Sequence, residues 1–93
     1  MPLFVISCLD KPGALALRMA ARPAHLEHLS ANPGVKLAGP FLDQAGEPTG
    51  SLLIVEAEDI GAVRTFADRD PYVQAGLFES VEVRPFRATI GDL

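Results

Sequence analysis

Four consecutive apolar residues, Leu52-Leu53-Ile54-Val55, lie within Thr49 to Ala57, a stretch with the aliphatic, β-branched make-up of a strand. Side chains alternate between the two faces of a strand, so Leu53 and Val55 point one way and Leu52 and Ile54 the other. A sheet built on this strand has no face suited to bulk water. Helices must cover one side and something else the other, and any fold of this chain has to meet that demand.

The remaining elements follow from local signals. Leu3 to Leu9 is a short apolar run stopped by Asp10-Lys11-Pro12-Gly13. It lacks a basic leader and a small-residue cleavage pattern and is too short to span a membrane, so it reads as a strand. Ala14 to Ala21 is rich in alanine and leucine and should be helical. Pro23 has no backbone N–H and crowds the preceding turn, so the helix is expected to kink or restart there. A second segment, Pro23 to about Ala31, then closes at Asn32-Pro33-Gly34. Val35 to Leu42 reads as a strand whose Gly39-Pro40 calls for an edge or a bulge. After the polar connector Asp43 to Pro48 and the Thr49 to Ala57 strand, Glu58-Asp59 can cap a helix from Ile60 to about Ala67, with Ile60, Val63, Phe66 and Ala67 on one face. Asp70-Pro71 breaks that helix, a short helical turn runs through Ala75 to Gly76, and Phe78 to Phe86 is the last strand.

The order β-α-β-β-α-β specifies an α+β, ferredoxin-like domain over residues 1–93, an antiparallel four-stranded sheet with both helices on one face. The helices cannot cover the second face, and a second copy packed sheet to sheet would. Size argues the same way. A chain of 93 residues buries only roughly 60 to 65% of its unfolded surface, so an oligomer interface adds useful burial.

Charge and cysteine content narrow the function classes. Eight Lys and Arg against twelve Asp and Glu give a net charge of -4, with the cations scattered, so nucleic acid is not an expected partner. Cys8 is the only cysteine, which leaves no internal disulfide or multi-cysteine metal site and fits a reducing, cytoplasmic setting. No membrane association is expected. Gly46, Gly50 and Gly61 match no phosphate-loop pattern.

Candidate chemistry centres on Arg22-Pro23-Ala24-His25-Leu26. With Leu26 taken as the middle of the buried stripe, Leu29 lies ~60° to one side, His25 ~100° to the same side and His28 ~160° away. On that phasing His28 points to solvent and His25 sits on the shoulder of the core. There it is either a proton-transfer residue or a helix-edge residue with a satisfied ring. His25 and His28 with Glu27 between them could be imagined as metal ligands, but no second ligand cluster exists, and no metal is expected. Asp70 is an adequate N-cap for a helix starting at Pro71, and it could equally orient an imidazole if the fold brings it to His25. Cys8 in an apolar strand reads as packing, although a Cys8, His25, Asp70 triad is conceivable. Arg18 and Arg22, seven and three residues before His25, could hold an anionic ligand or lie solvated on the surface.

The tags Asp10-Lys11, Arg18, Arg22-Pro23-Ala24-His25-Leu26, Ala38-Gly39-Pro40, Thr49-Gly50-Ser51, Asp70-Pro71-Tyr72-Val73, Ala75-Gly76 and Val83 with Pro85-Phe86 resemble the YciI family in order and spacing, from residue 3 to about 87. The resemblance implies a dimeric α/β barrel of two ferredoxin-like protomers and an active site holding a histidine and an aspartate, which fall here on His25 and Asp70. The family includes a likeness to a dehydrochlorinase of a chlorinated hydroxyhydroquinone, and muconolactone isomerase shares the barrel architecture. The resulting expectation is a small homodimeric enzyme without a cofactor. His25 would act as general acid or base on a small cyclic or aromatic molecule in lyase, isomerase or dehydrochlorinase-like chemistry, with Asp70 polarising its ring. Arg18 or Arg22 would neutralise a substrate oxyanion, while Gly39, Pro40 and Tyr72 would shape the pocket. The alternatives are a non-enzymatic small-molecule-binding or regulatory dimer and a purely structural dimerisation domain.

Overall fold

The computed structural model describes all 93 residues. Four strands, β1 (Leu3–Asp10), β2 (Val35–Leu42), β3 (Pro48–Glu56) and β4 (Phe78–Phe86), form one antiparallel sheet in the order β2-β3-β1-β4. The helices are α1 (Leu15–Ser30), α2 (Ile60–Asp68) and the single turn α3 (Pro71–Gln74). This is the split βαβ arrangement anticipated from the sequence, and no helix is long and apolar enough to cross a membrane.

Register sorts the side chains. Phe4, Ile6 and Cys8 of β1 lie opposite Val55, Leu53 and Ser51 of β3, which places all six on one face. On that face Phe4, Ile6, Cys8, Leu53 and Val55 join Val63 and Ala67 of α2 in the core, with Leu29 of α1 packed against them. Leu3, Val5, Ser7 and Leu9 line the other face beside Leu52 and Ile54. The apolar run of β3 therefore divides between the faces as its alternation requires.

Pro40 sits on β2, an edge strand paired only with β3, where its missing N–H costs no ladder bond. The bulges of β2 fall at its ends, between Val35 and Leu37 and between Phe41 and Leu42. Gly50 is required by close approach: a Cβ there would run into the Cys8 carbonyl oxygen and come within 2.9 Å of the Phe41 ring. Asp59 caps α2 by accepting from the Ala62 N–H at 2.8 Å.

Two sequence expectations are corrected. The first helix does not restart at Pro23; α1 is one helix of 16 residues with Pro23 inside it. Both Pro23 and Met19, whose carbonyl loses its partner, lie on the exposed side, so water can satisfy that oxygen while contacts on the inner side hold both halves of the helix. The phasing of α1 is also corrected. Leu26 is 41% exposed, whereas the residues α1 buries are Arg18 and His25. His28 turns inward from solvent, stacks on Phe66 with ring centroids 4.5 Å apart, and donates from Nε2 to the Phe66 carbonyl at 3.1 Å. Hydropathy misplaced the inner face because that face carries the polar residues of the site.

Candidate active site

Between α1 and the β2–β3 side of the sheet lies a cavity of about 440 Å³, a size suited to a small organic molecule. Arg18, Arg22 and His25 reach its wall from α1, Gly39 and Pro40 from β2, Ser51 and Leu53 from β3, and Tyr72 from α3. His25, Arg18, Arg22, Gly39, Pro40 and Tyr72 of the expected site line it, whereas Cys8, Glu27 and His28 do not, and Asp70 stands directly behind His25.

Asp70 is fixed by the break between α2 and α3. It is the N-cap of α3, with Pro71 at the first helical position, and its Oδ1 accepts from the Tyr72 N–H at 2.9 Å. Gly76, at φ 74°, ends the segment in the left-handed conformation that glycine tolerates. So anchored, both carboxylate oxygens of Asp70 face Nδ1 of His25, at 2.8 and 3.0 Å. Both residues are buried. A carboxylate accepts, so Nδ1 carries the proton and donates, and in the neutral ring Nε2 keeps its lone pair. Nε2 makes no hydrogen bond within the protein, yet no fully buried polar side-chain atom lacks a partner, so Nε2 must open onto the cavity. The capping and orienting roles weighed for Asp70 are performed together by one carboxylate.

Arg18 is committed elsewhere. Its Nε and Nη2 donate to the two Asp10 oxygens at 2.7 and 3.0 Å, and Nη2 also reaches Ser51 Oγ at 2.8 Å. Burial works against this cation, but the Asp10 carboxylate outweighs it through hydrogen bonding and charge, holding the guanidinium pKa above its ordinary value. Arg22 is exposed, lines the cavity and forms no ion pair within the protein. Asp10 and Ser51 are site residues that the sequence reading passed over. The usable signal was their place in the tags Asp10-Lys11 and Thr49-Gly50-Ser51, to which the sequence reading gave no role.

Tyr72, 1% exposed, packs its ring against both sides of this chemistry. The His25 ring stacks on it at a centroid distance of 3.8 Å and an interplanar angle of 14°, and the Arg18 guanidinium carbon lies 4.7 Å from its centroid. Cys8 is buried on the same sheet face; desolvation first, then the Asp70 charge, push its thiol from 9.0 up to about 12. It is a neutral thiol at physiological pH and not an activated nucleophile. The two imidazoles have separate partners, His25 on Asp70 and His28 on Phe66, and no three His, Cys, Asp or Glu side chains cluster as metal ligands.

Residues 2–87 match the YCII-related domain family. The chain is 42% identical over 94 residues to Protein YciI of Escherichia coli O6:H1, a match covering 91% of this chain and 96% of that protein. It is 36% identical over 93 residues to an uncharacterized protein of Haemophilus influenzae, covering 90% and 95%. Among solved structures, 5-chloro-2-hydroxyhydroquinone dehydrochlorinase of Burkholderia phenoliruptrix AC1100, in complex with 2,5-dihydroxybenzoquinone, superposes with a TM-score of 0.85 at 35% identity, covering 91% of this chain and 93% of that one. An antibiotic biosynthesis monooxygenase shares the fold at a TM-score of 0.60 and 17% identity, covering 97% and 100%. The chain belongs to the YCII-related domain family, alongside the YciI proteins.

Proposed function

We propose that this protein is a small enzyme in which His25 and Asp70 carry out general acid–base chemistry on a cyclic or aromatic molecule bound in the cavity, as a lyase, isomerase or dehydrochlorinase. The observation that carries the reading is the His25 geometry: Nδ1 gripped by both Asp70 oxygens, with Nε2 free toward the cavity. Such a ring takes a proton at Nε2, and the carboxylate supports the imidazolium that forms. In an elimination the proton leaves carbon or oxygen for Nε2, its electron pair closes the new double bond, and the leaving group departs with its own pair. In an isomerisation the same nitrogen returns the proton at another position. Neither sequence transfers electrons to an acceptor, so no cofactor is required. The dehydrochlorinase likeness supports a hydroxylated ring as substrate. We propose further that a second copy covers the bare sheet face, giving a homodimer.

The test is turnover of 5-chloro-2-hydroxyhydroquinone and a panel of related hydroxylated rings by the wild-type chain, His25→Asn and Asp70→Asn. Both variants are expected to lose about a hundredfold or more in kcat while still binding ligand. A wild-type chain that binds these compounds without converting any of them would make the protein a binding module instead.

A further inference from the structure

The Tyr72 hydroxyl is a buried polar group that the acid–base pair leaves unused. All other polar contacts of the residue are satisfied: its N–H goes to Asp70, its carbonyl accepts from the Leu77 N–H at 3.1 Å, and its ring lies against His25 and Arg18. Arg18 is the one side chain that approaches the hydroxyl, and a guanidinium donates without accepting, so the phenol's own O–H finds no acceptor within the protein. Because no fully buried polar side-chain atom is without a partner, the trace of exposure left to Tyr72 must include its Oη, and Tyr72 lines the cavity. A phenolic O–H without an acceptor on the wall of the cavity invites a ligand atom.

We propose that the Tyr72 hydroxyl is a catalytic hydrogen-bond donor to the substrate oxygen on which negative charge resides or develops, so that the cavity selects enolic or phenolic anions. The inference takes the acid–base reading of the cavity as its frame and adds a second reacting contact to it. The Tyr72 and His25 rings are stacked at the cavity wall, so one ligand in the cavity borders both residues. Removing a proton from an enol or phenol leaves charge on oxygen, and a fixed donor there lowers the cost of that step. Two cations, Arg18 and Arg22, favour negative charge at the phenol, against the opposing charge of Asp70. Burial nevertheless dominates and raises the phenol above its ordinary value, so the hydroxyl keeps the proton it must donate.

The chain has one tyrosine and no tryptophan, so every tyrosine signal comes from this residue. The probes are 2,5-dihydroxybenzoquinone, whose vinylogous acid is ionised at neutral pH, and 1,4-hydroquinone, which is not. In the wild-type chain labelled with 13C at the tyrosine ζ carbon, the single NMR line should move on saturation with the ionised probe and stay in place with hydroquinone. Tyr72→Phe should weaken binding of the ionised probe by about tenfold to a hundredfold, leave hydroquinone binding unchanged and leave Tm unchanged. Equal affinity of wild type and variant for the ionised probe, an unmoved line at saturation, or no binding by the wild-type chain overturns the proposal. A line that moves in a chain converting no substrate upholds the donor site and defeats the proposed reaction. Turnover undiminished in Tyr72→Phe does the reverse.

Discussion

Asp70 serves α3 and His25 with the same carboxylate, and its charge reaches a third residue. Cys8 is buried on β1, and both desolvation and Asp70 hold its thiol protonated. The pH dependence has a definite sign. Above about pH 9 the unfolded chain releases this proton, whereas the native chain keeps it until about pH 12. The unfolded state then binds fewer protons, so the contribution of Cys8 is complete below pH 9 and is lost as pH rises through that window. The slope is about 1.4 kcal/mol per pH unit for a single proton. Urea unfolding of wild type and Cys8→Ala at a series of alkaline pH values should show the wild type losing stability more steeply; parallel profiles would mean the thiol is not held protonated by the fold. The variant also loses packing, which displaces its whole curve but not its slope.

Helix α1 shows both how far the sequence could be read and where it misled. The helical tendency of its two halves was legible in their alanine and leucine content, and His25 was legible as a candidate from its place beside Pro23. Continuity through Pro23 was not, because local rules weigh the lost hydrogen bond without the contacts that hold each half: Arg18 on Asp10 before the proline, His25 on Asp70 after it. The inward face was hidden for a related reason. Hydropathy assigns the core to apolar residues, and here partners on three other elements pay the desolvation of Arg18 and His25. The apolar stretch Leu52 to Val55 of strand β3, with no polar partners to arrange, was read correctly from alternation alone. The proline is thus a tolerated local defect. Pro23→Ala should restore the bond to the Met19 carbonyl and relieve the crowding, raising stability by about 1 to 2 kcal/mol after the gain in unfolded-chain entropy is subtracted. Thermal unfolding measures this directly, and a fall in Tm would show that the proline supports the helix in this setting.

At the scale of the whole molecule, the sheet separates two tasks. One face, under the helices, holds the core and the cavity; the other carries the half-buried Val5 and Leu52 with Leu9 at 52% exposure, Leu37 at 48% and Phe86 at 40%, while Ile54 on the same face is already buried. Exposed apolar residues on one sheet face are costly for an isolated domain of 93 residues, and the proposed second copy would bury them against their own equivalents. The interface would then use residues that the cavity-bearing face does not need. The double variant Leu9→Glu, Leu37→Glu places like charges across the proposed contact, so it should sediment as a monomer where the wild type sediments as a dimer. The Tm of the wild type should rise with protein concentration, and that of the variant should not. A folded double variant should still bind 2,5-dihydroxybenzoquinone, because His25, Tyr72 and the cavity lie on the opposite side of the sheet from both substitutions. A wild-type chain that sediments as a monomer at all concentrations would leave the apolar face without this occupant. Loss of probe binding on dissociation of a folded variant would mean instead that the partner contributes to the site.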